Sequence, residues 1–369
     1  MGKYTTIDDP SAYFQVATYT GAGANQTVTN DGNSDLQPDF LWIKRRNAAY
    51  AHALFDSNRG LGSSNPPMLE SDSTAAENSN QNWISGVGTD SFTIGINEQN
   101  LSNTSGTYVA WQWKVNGGTT SSNTSGGITT TVQANTDAGF SIVTYTGDGA
   151  TSQTVGHGLG AVPKMIISKD RGSTSNVPNW RVYHEGIGNT KYLQLDGTGA
   201  AGTFDDWGNT TPTSSVYTIG GSGGYRPTNT NNANYVAYVF AEKQGYSKFG
   251  KYKGNGNADG AFVYLGFAPA WLLIKRFDAG VTNWNLYDNR RESSGGGFAD
   301  RQDASRRLFP NNTEAESANT VADEMQFTSN GFKLRGTQGS LNGSGNEFIY
   351  MAFAENPFVT STGIPTTAR

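Results

Sequence analysis

The chain of 369 residues contains no cysteine. That excludes disulfides, thiolate metal sites and cysteine nucleophiles. Charge is scarce too: Asp, Glu, Lys and Arg make up 15% of the residues, against a usual share of about 25%. The net charge of −5 comes with no basic block, a poor match for a phosphate backbone, so nucleic acid is not expected as a partner. The longest apolar run, Ala268 to Ile274, is far short of a bilayer span, and membrane insertion is not expected. The opening MGKYTTIDDP is polar and carries two acids, unlike a signal peptide. Gly2 with Thr6 meets a myristoylation pattern at only two fixed positions, too few to carry weight. No 12-residue window holds a persuasive helical period, which excludes a helical bundle and a coiled coil.

What is present is glycine, 47 residues, together with 12% aromatics and eight tryptophans. With abundant Ser, Thr and Asn, that composition describes short strands joined by many turns, and it holds enough apolar surface for real cores. The chain is also self-similar. Thr18-Tyr19-Thr20-Gly21-Ala22-Gly23 returns as Thr144-Tyr145-Thr146-Gly147-Asp148-Gly149 and, more loosely, as Lys251-Tyr252-Lys253-Gly254-Asn255-Gly256. Each copy is followed by a proline and an apolar run closed by lysine: Pro38 to Lys44, Pro163 to Lys169 and Pro269 to Lys275. Ala53-Leu54-Phe55-Asp56, Arg181-Val182-Tyr183-His184 and Asn285-Leu286-Tyr287-Asp288 take equivalent places. Each copy ends on an aromatic strand, Tyr108 to Trp113, Tyr235 to Phe240 and Phe348 to Phe353. Tyr19 and Tyr145 are 126 residues apart, and Tyr145 and Tyr252 are 107 apart, too long a period for a solenoid and suited to whole domains.

The expected fold is therefore all-β, three tandem antiparallel β-sandwiches of jelly-roll or lectin-like type. The boundaries read as an extended arm at 1–10, repeat 1 at 11–116, a flexible Gly/Ser/Thr/Asn-rich linker at 117–137, repeat 2 at 138–243, repeat 3 at 247–356 and a strap at 357–369. In Tyr235 to Phe240 both alternating faces are apolar, as in a central strand covered on both sides.

Candidate chemistry is thin. His52, His157 and His184 sit at different places in their repeats, so no metal or triad spacing emerges, and structural roles are expected. Asp8-Asp9, Asp205-Asp206 and Asp323-Glu324 lie in turn-like sequence, without the alternating strand carboxylates of a β-sandwich glycosidase; a hydrolase, and catalysis in general, is not expected. Asp31-Gly32-Asn33-Ser34-Asp35 spaces oxygen side chains as a calcium loop does but has Trp42 where the closing glutamate belongs, and Asx turns explain it equally well. No cofactor is expected. The Gly-x-Gly turns lack the following helix that a phosphate loop needs. Binding candidates remain: Asp56 with Arg59 and Asp288 with Arg290 as a recurring polar grip, and Tyr50, Trp83, Trp207 and Tyr225 as aromatic residues in polar loops where burial looks difficult. Exposed rings of that kind suit carbohydrate stacking or a protein interface.

Thr18-Tyr19-Thr20-Gly21, Asn30-Asp31-Gly32, Pro38 to Lys44, Ser73-Thr74-Ala75-Ala76-Glu77 and Tyr108 to Lys114 resemble a repeated domain of virion proteins from marine phages, cyanophages and pelagiphages in particular. The third copy keeps a version in Asn312-Thr313-Glu314-Ala315-Glu316, and the second lacks the Ser-Thr-Ala-Ala-Glu stretch. The resemblance implies a place in the virion, as a tail-fibre-like appendage touching host surface polysaccharide or as a head decoration or connector protein clamping other virion proteins. A homo-oligomer is expected, a trimer of chains or one chain whose three repeats imitate one.

Overall fold

Runs of β-branched and aromatic residues, broken by Gly, Asn, Asp and Ser, become strands and turns along the whole chain. The computed structural model describes residues 4–172, 179–291, 306–318 and 325–366. Helix among these is confined to two 3-10 turns, Pro10–Ala12 and Ser57–Arg59. The fold is all-β, and the ladders that build its sheets are antiparallel.

The first unit carries β1 (Phe14–Thr20), β2 (Gln26–Thr29), β3 (Phe40–Arg45), β4 (Ala53–Asp56), β5 (Leu69–Glu70), β6 (Ile84–Gly88), β7 (Ser91–Ile94) and β8 (Thr107–Trp113). The second carries β9 (Ser121–Asn123), β10 (Thr130–Asn135), β11 (Phe140–Thr146), β12 (Ser152–Gly156), β13 (Met165–Asp170), β14 (Arg181–His184), β15 (Lys191–Gln194), β16 (Gly202–Thr203), β17 (Val216–Gly220) and β18 (Asn234–Phe240). The third carries β19 (Ser247–Lys253), β20 (Phe262–Tyr264), β21 (Phe267–Arg276), β22 (Asn285–Asp288), β23 (Arg306–Arg307), β24 (Ser317–Ala318), β25 (Met325–Thr328), β26 (Gly331–Leu334) and β27 (Glu347–Pro357).

One strand order is written three times, as β1-β8-β3-β4, β11-β18-β13-β14 and β19-β27-β21-β22, and a smaller sheet accompanies each: β2-β7-β6, β12-β17 and β20-β26-β25. The registers agree as well, with Phe40 opposite Trp113, Met165 opposite Phe240 and Trp271 opposite Phe353. Each large sheet packs one face on its own small sheet, giving separate cores around Phe92, Tyr217 and Phe332. The opposite faces of all three large sheets meet in a single shared core that includes Phe14, Trp111 and Trp113, then Phe140, Tyr238 and Phe240, then Phe249, Trp271 and Phe353. That is why β18 is apolar on both sides: Tyr235, Ala237 and Val239 enter the unit's own core, and Val236, Tyr238 and Phe240 the shared one.

The Gly-x-Gly turns show two distinct needs. A side chain at the first glycine would meet backbone: a Cβ would lie 2.1 Å from Asn103 O at Gly21, 2.3 Å from Thr230 O at Gly147 and 2.4 Å from Gly343 O at Gly254. The second glycine takes positive φ, at 93°, 73° and 64° for Gly23, Gly149 and Gly256, where L side chains are strained.

One boundary expectation is corrected. The 117–137 stretch is not a free linker: it holds β9 and β10, which extend the second unit's large sheet beyond β11. Its start is anchored on buried Asp39, whose carboxylate accepts from the N–H groups of Val115, Gly117 and Gly118 at 2.6, 2.9 and 2.7 Å. The arm lies on the chain itself: Ile7 joins the shared core and the Tyr4 hydroxyl donates to Gly266 O at 2.9 Å. The strap turns back on itself through a Val359–Pro365 bridge, and Ser361 N–H donates to Asp8 at 2.6 Å. Residues 1–3 and 367–369 of these segments, like Asp323-Glu324, lie outside the described residues.

Candidate functional site

The sequence candidates divide into those the fold buries and those it leaves outside. Asp56 closes β4 and caps the following 3-10 turn, accepting from Arg59 N–H at 2.9 Å and from Arg59 Nε at 2.6 Å. Both side chains are fully buried. The Tyr238 hydroxyl of the second unit donates to Asp56 Oδ2 at 2.8 Å. In the third unit the same corner is built by Asp288 and Arg291, not Arg290: Arg291 Nε donates to Asp288 Oδ2 at 2.5 Å, and Trp111 Nε1 of the first unit donates to the same oxygen at 2.8 Å. The i,i+3 spacing of Asp56–Arg59 selects Arg291. Arg290 is instead paired with Asp31 at 2.8 Å on the surface, beside a small groove of about 70 Å³ lined by Ser11, Gln15, Asn289 and Glu355. The recurring Asp–Arg turns are thus joints between units, not a grip on a ligand.

The joint is repeated cyclically with compensating changes. Tyr238 and Trp111 both stand two residues before the end-strand position fixed by register; the third unit has Met351 there, which has no hydrogen-bond donor. The second unit has His184 in place of the aspartate, and its Nε2 lies 3.1 Å from Tyr350 O of the third. Burial lowers the His184 pKa to about 4, against a smaller opposing effect of that carbonyl, so the ring is neutral and serves as a donor. His52, Trp180 and Trp284 form a second series: His52 Nε2 pairs with Phe309 O, Trp180 Nε1 with Glu70 O and Trp284 Nε1 with Gln194 O, at 3.1, 2.9 and 2.8 Å. The third series is the lysines that close the Pro-to-Lys strands. Lys44 donates to Thr313 O at 3.1 Å, Lys169 to Thr74 O at 2.8 Å and Lys275 to Thr198 O at 3.1 Å, each on a neighbouring unit. Burial pulls all three down to about 8.

Those threonines show that the second unit does have a counterpart of Ser73-Thr74-Ala75-Ala76-Glu77, in Gly197-Thr198-Gly199-Ala200-Ala201. Glu77, Ala201 and Glu316 each donate N–H across a joint, to Arg171 O, Phe277 O and Arg46 O. Glu77 receives Arg171 in a bidentate pair at 2.9 and 2.8 Å, and Glu316 receives Arg46 at 2.8 and 3.0 Å. The remaining joint replaces both ions at once, setting Ala201 against Phe277, which belongs to the shared core. Burial pushes the Glu316 carboxyl up, but bonds and charge from Arg46, Arg291 and Arg306 outweigh it and hold it at about 2.

The aromatic candidates are corrected in part. Trp83 and Trp207 are not exposed; each lies in the core of its unit, with Trp83 Nε1 donating to Asn78 O at 3.3 Å and Trp207 edge-on to Tyr183. Tyr50 is half-buried under the Arg45 guanidinium, 4.9 Å from the ring centre. Tyr225 is exposed and accepts a hydrogen bond from Arg181 at 2.9 Å. Arg181 in turn stacks on Tyr192 at 4.1 Å and faces Asp206 at 3.6 Å, whose carboxyl burial raises to about 6 despite that arginine. His157 is buried, with Nδ1 accepting from Leu159 N–H. Asp31 of the possible calcium loop is held by Arg290, and among the described residues no three His, Cys, Asp or Glu side chains gather in a metal-binding group.

The feature that single residues do not reveal lies on the third unit. Val28, Val155 and Val263 occupy one position, pairing with Phe92, Tyr217 and Phe332. The neighbours of that valine point outward from the small sheet. They are Thr27 and Thr29 in the first unit, Thr154 and Gly156 in the second, and Phe262 and Tyr264 in the third. Phe262 and Tyr264 are 47% and 49% exposed, on the edge strand β20. Across the sheet, Phe262 is followed by Lys333 and Gln326, and Tyr264 by Gly331 and Thr328. Lys248 Nζ stands 5.7 Å from the Tyr264 ring centre, Lys333 pairs with Asp259, and Arg335 Nε donates to Gln326. Aligning the three Val-centred strands before judging which aromatics are exposed would have found this pair.

Among the described residues no helix is long and apolar enough to cross a membrane. Residues 9–357 match, in one span, the family described as Domain of unknown function (DUF7483). No curated protein matches the chain.

Proposed function

The chain belongs to the DUF7483 family, and from the geometry above we propose that it is a phage virion protein, a tail-fibre-like appendage that contacts host surface glycan by binding and not by turnover. The observation that carries this reading is the interlocked shared core. Three sheet pairs are fixed to one another by a shared core, ion pairs between units, indole, tyrosine and imidazole hydrogen bonds and lysine–carbonyl contacts, which suits a rigid presenter of surface. The family match includes all three units in one span. The resemblance of Thr18 to Gly21, Pro38 to Lys44 and Ser73 to Glu77 to marine phage virion domains supplies the place, and the outward aromatic pair on β20 supplies a contact surface suited to sugar.

The rival role, a head decoration or connector that clips onto other virion proteins, is suggested by the lack of a heptad stretch for trimerisation and by the arm and strap as clips. Residues 4–10 and 357–366 are instead engaged with the chain's own third unit and with each other. Gold-labelled antibody on intact particles tests the assignment: label at the tail supports it, label spread icosahedrally over the head overturns it in favour of decoration. Adsorption of particles to host cells stripped of surface polysaccharide tests the glycan part, and unchanged adsorption overturns it.

A further inference from the structure

We propose that the outer face of β20-β26-β25 is the glycan site and that its ligand is an acidic polysaccharide, lying along Phe262 and Tyr264 with its anionic groups toward Lys248, Lys333 and Arg335. This rests on the glycan-contact reading and gives it a location and a chemical class. The internal comparison is the first support. The first unit builds the same exposed strand with Thr27 and Thr29, while the second covers its own with the 126–128 segment, so aromatic side chains here are not a requirement of the strand. Two half-exposed rings on an edge strand are an aggregation hazard unless something covers them.

Geometry and charge narrow the occupant. Residues i and i+2 on one strand face are roughly 7 Å apart, so the two exposed rings are successive apolar surfaces along one face. Gly331 stands opposite Tyr264, and a Cβ there would lie 2.1 Å from Val263 O and 3.1 Å from Phe262 Cζ, so the Phe262 ring rests against that glycine. Next to the rings lie amide, hydroxyl and cationic groups from Gln326, Thr328 and Lys333, the mixture that a sugar's apolar face and hydroxyl rim require. Among the described residues Lys248 stands by Tyr264, Lys333 pairs with Asp259 and Arg335 reaches Gln326, three cations against one acid within a chain of net charge −5. A locally positive strip on a negative protein is complementary to carboxylate or sulfate. Two rings are too little apolar area for a stable protein interface, which takes about 800 Å² per partner.

The test uses the full chain in calorimetric titrations with hexagalacturonate, a sulfated carrageenan hexasaccharide and neutral cellohexaose. At least one acidic hexasaccharide should bind about fivefold or more tighter than cellohexaose, and which one identifies the anion. F262T/Y264T, which installs the first unit's residues, should weaken that binding about tenfold, while Y264F, which removes only the hydroxyl contact with Tyr4, should leave it unchanged. K333Q/R335Q should bring acidic binding down to the neutral level and remove its salt dependence. Equal binding of all three sugars with no effect of K333Q/R335Q overturns the acidic class. No binding of any of them at millimolar concentration overturns the site. The site and the broader reading fail separately: binding that survives F262T/Y264T removes this face and leaves glycan contact standing, whereas particles that adsorb normally to stripped hosts remove glycan contact whatever the purified chain binds.

Discussion

At the residue scale, the groups that looked most like a ligand grip are the ones the fold hides. Asp56 and Asp288 each bind an arginine within their unit and a Tyr or Trp donor from another. Removing either acid takes the nearest carboxylate from a buried guanidinium and leaves it only Glu77 or Glu316, at 3.4 and 3.1 Å, a change worth about 3 kcal/mol. Asp56→Ala and Asp288→Ala should lose that much in denaturant unfolding. Arg290→Ala, which breaks only an exposed pair, should stay within about 0.5 kcal/mol, and an equal loss there would contradict the assignment of Arg291 to the corner. Lys44, Lys169 and Lys275 make a pH prediction of definite sign. Burial lowers each to about 8 in the folded chain, against about 10.4 when unfolded. Between these values the unfolded chain holds protons that the folded chain has released, so stability rises with pH from about 8 to 10, by at most about 1.4 kcal/mol per pH unit for each lysine. Above about 10 the buried tyrosines, with raised pKa values, reverse the trend. Urea midpoints at pH 8, 9 and 10 check this, and Lys169→Met should remove about a third of the rise. A flat or falling profile would show that the lysines are solvated.

At the scale of elements, the strands were legible and their partners were not. Pro-to-Lys runs and closing aromatic strands could be read directly because β-branched and aromatic residues favour strands wherever they pack, and they became β3, β13, β21, β8, β18 and β27. The 117–137 stretch misled because its Gly, Ser and Asn content hides Thr129-Thr130-Thr131-Val132, a β-prone run in which Val132 is buried and buried Thr130 donates its hydroxyl to Gly156 O at 3.1 Å. Trp83 and Trp207 misled for the opposite reason: polar neighbours say nothing of a loop folding back over its own sheet. The joints were not legible at all, because Arg46, Arg171 and Phe277 acquire meaning only beside Glu316, Glu77 and Ala201 from distant segments. The first glycine of the turns gives an element-level test. Gly147→Ala puts a methyl 2.3 Å from Thr230 O, whereas Gly199→Ala meets no atom within 4 Å. The first should cost about 2 kcal/mol or more and the second nearly nothing. Equal melting temperatures for the two variants would mean that the turn yields.

At the scale of the molecule, the arrangement of cores decides how the protein unfolds. Three independent sandwiches joined by linkers would melt in separate steps, each on its own core. Here the three own cores are supplemented by one cluster to which every unit contributes, including Trp111 and Trp113, Tyr238 and Phe240, and Trp271 and Phe353. Losing one unit exposes the inner faces of the other two and orphans their joint partners: without the third, Trp111 loses Asp288, His184 loses Tyr350 and Arg46 loses Glu316. The cost of exposing apolar surface, about 25 cal/mol per Å², added to these uncompensated polar groups, exceeds the stability of an ordinary domain. Calorimetry of the full chain should therefore give one transition, with equal calorimetric and van't Hoff enthalpies. A chain cut after residue 243 should fail to fold or should aggregate through its uncovered inner faces. The intact chain closes the set of three within itself, so light scattering should give the mass of one chain, 39.4 kDa, without the threefold association that a single repeat would need. Resolved melting steps, or a well-folded 1–243 fragment, would show that the shared core is only a contact between self-sufficient units.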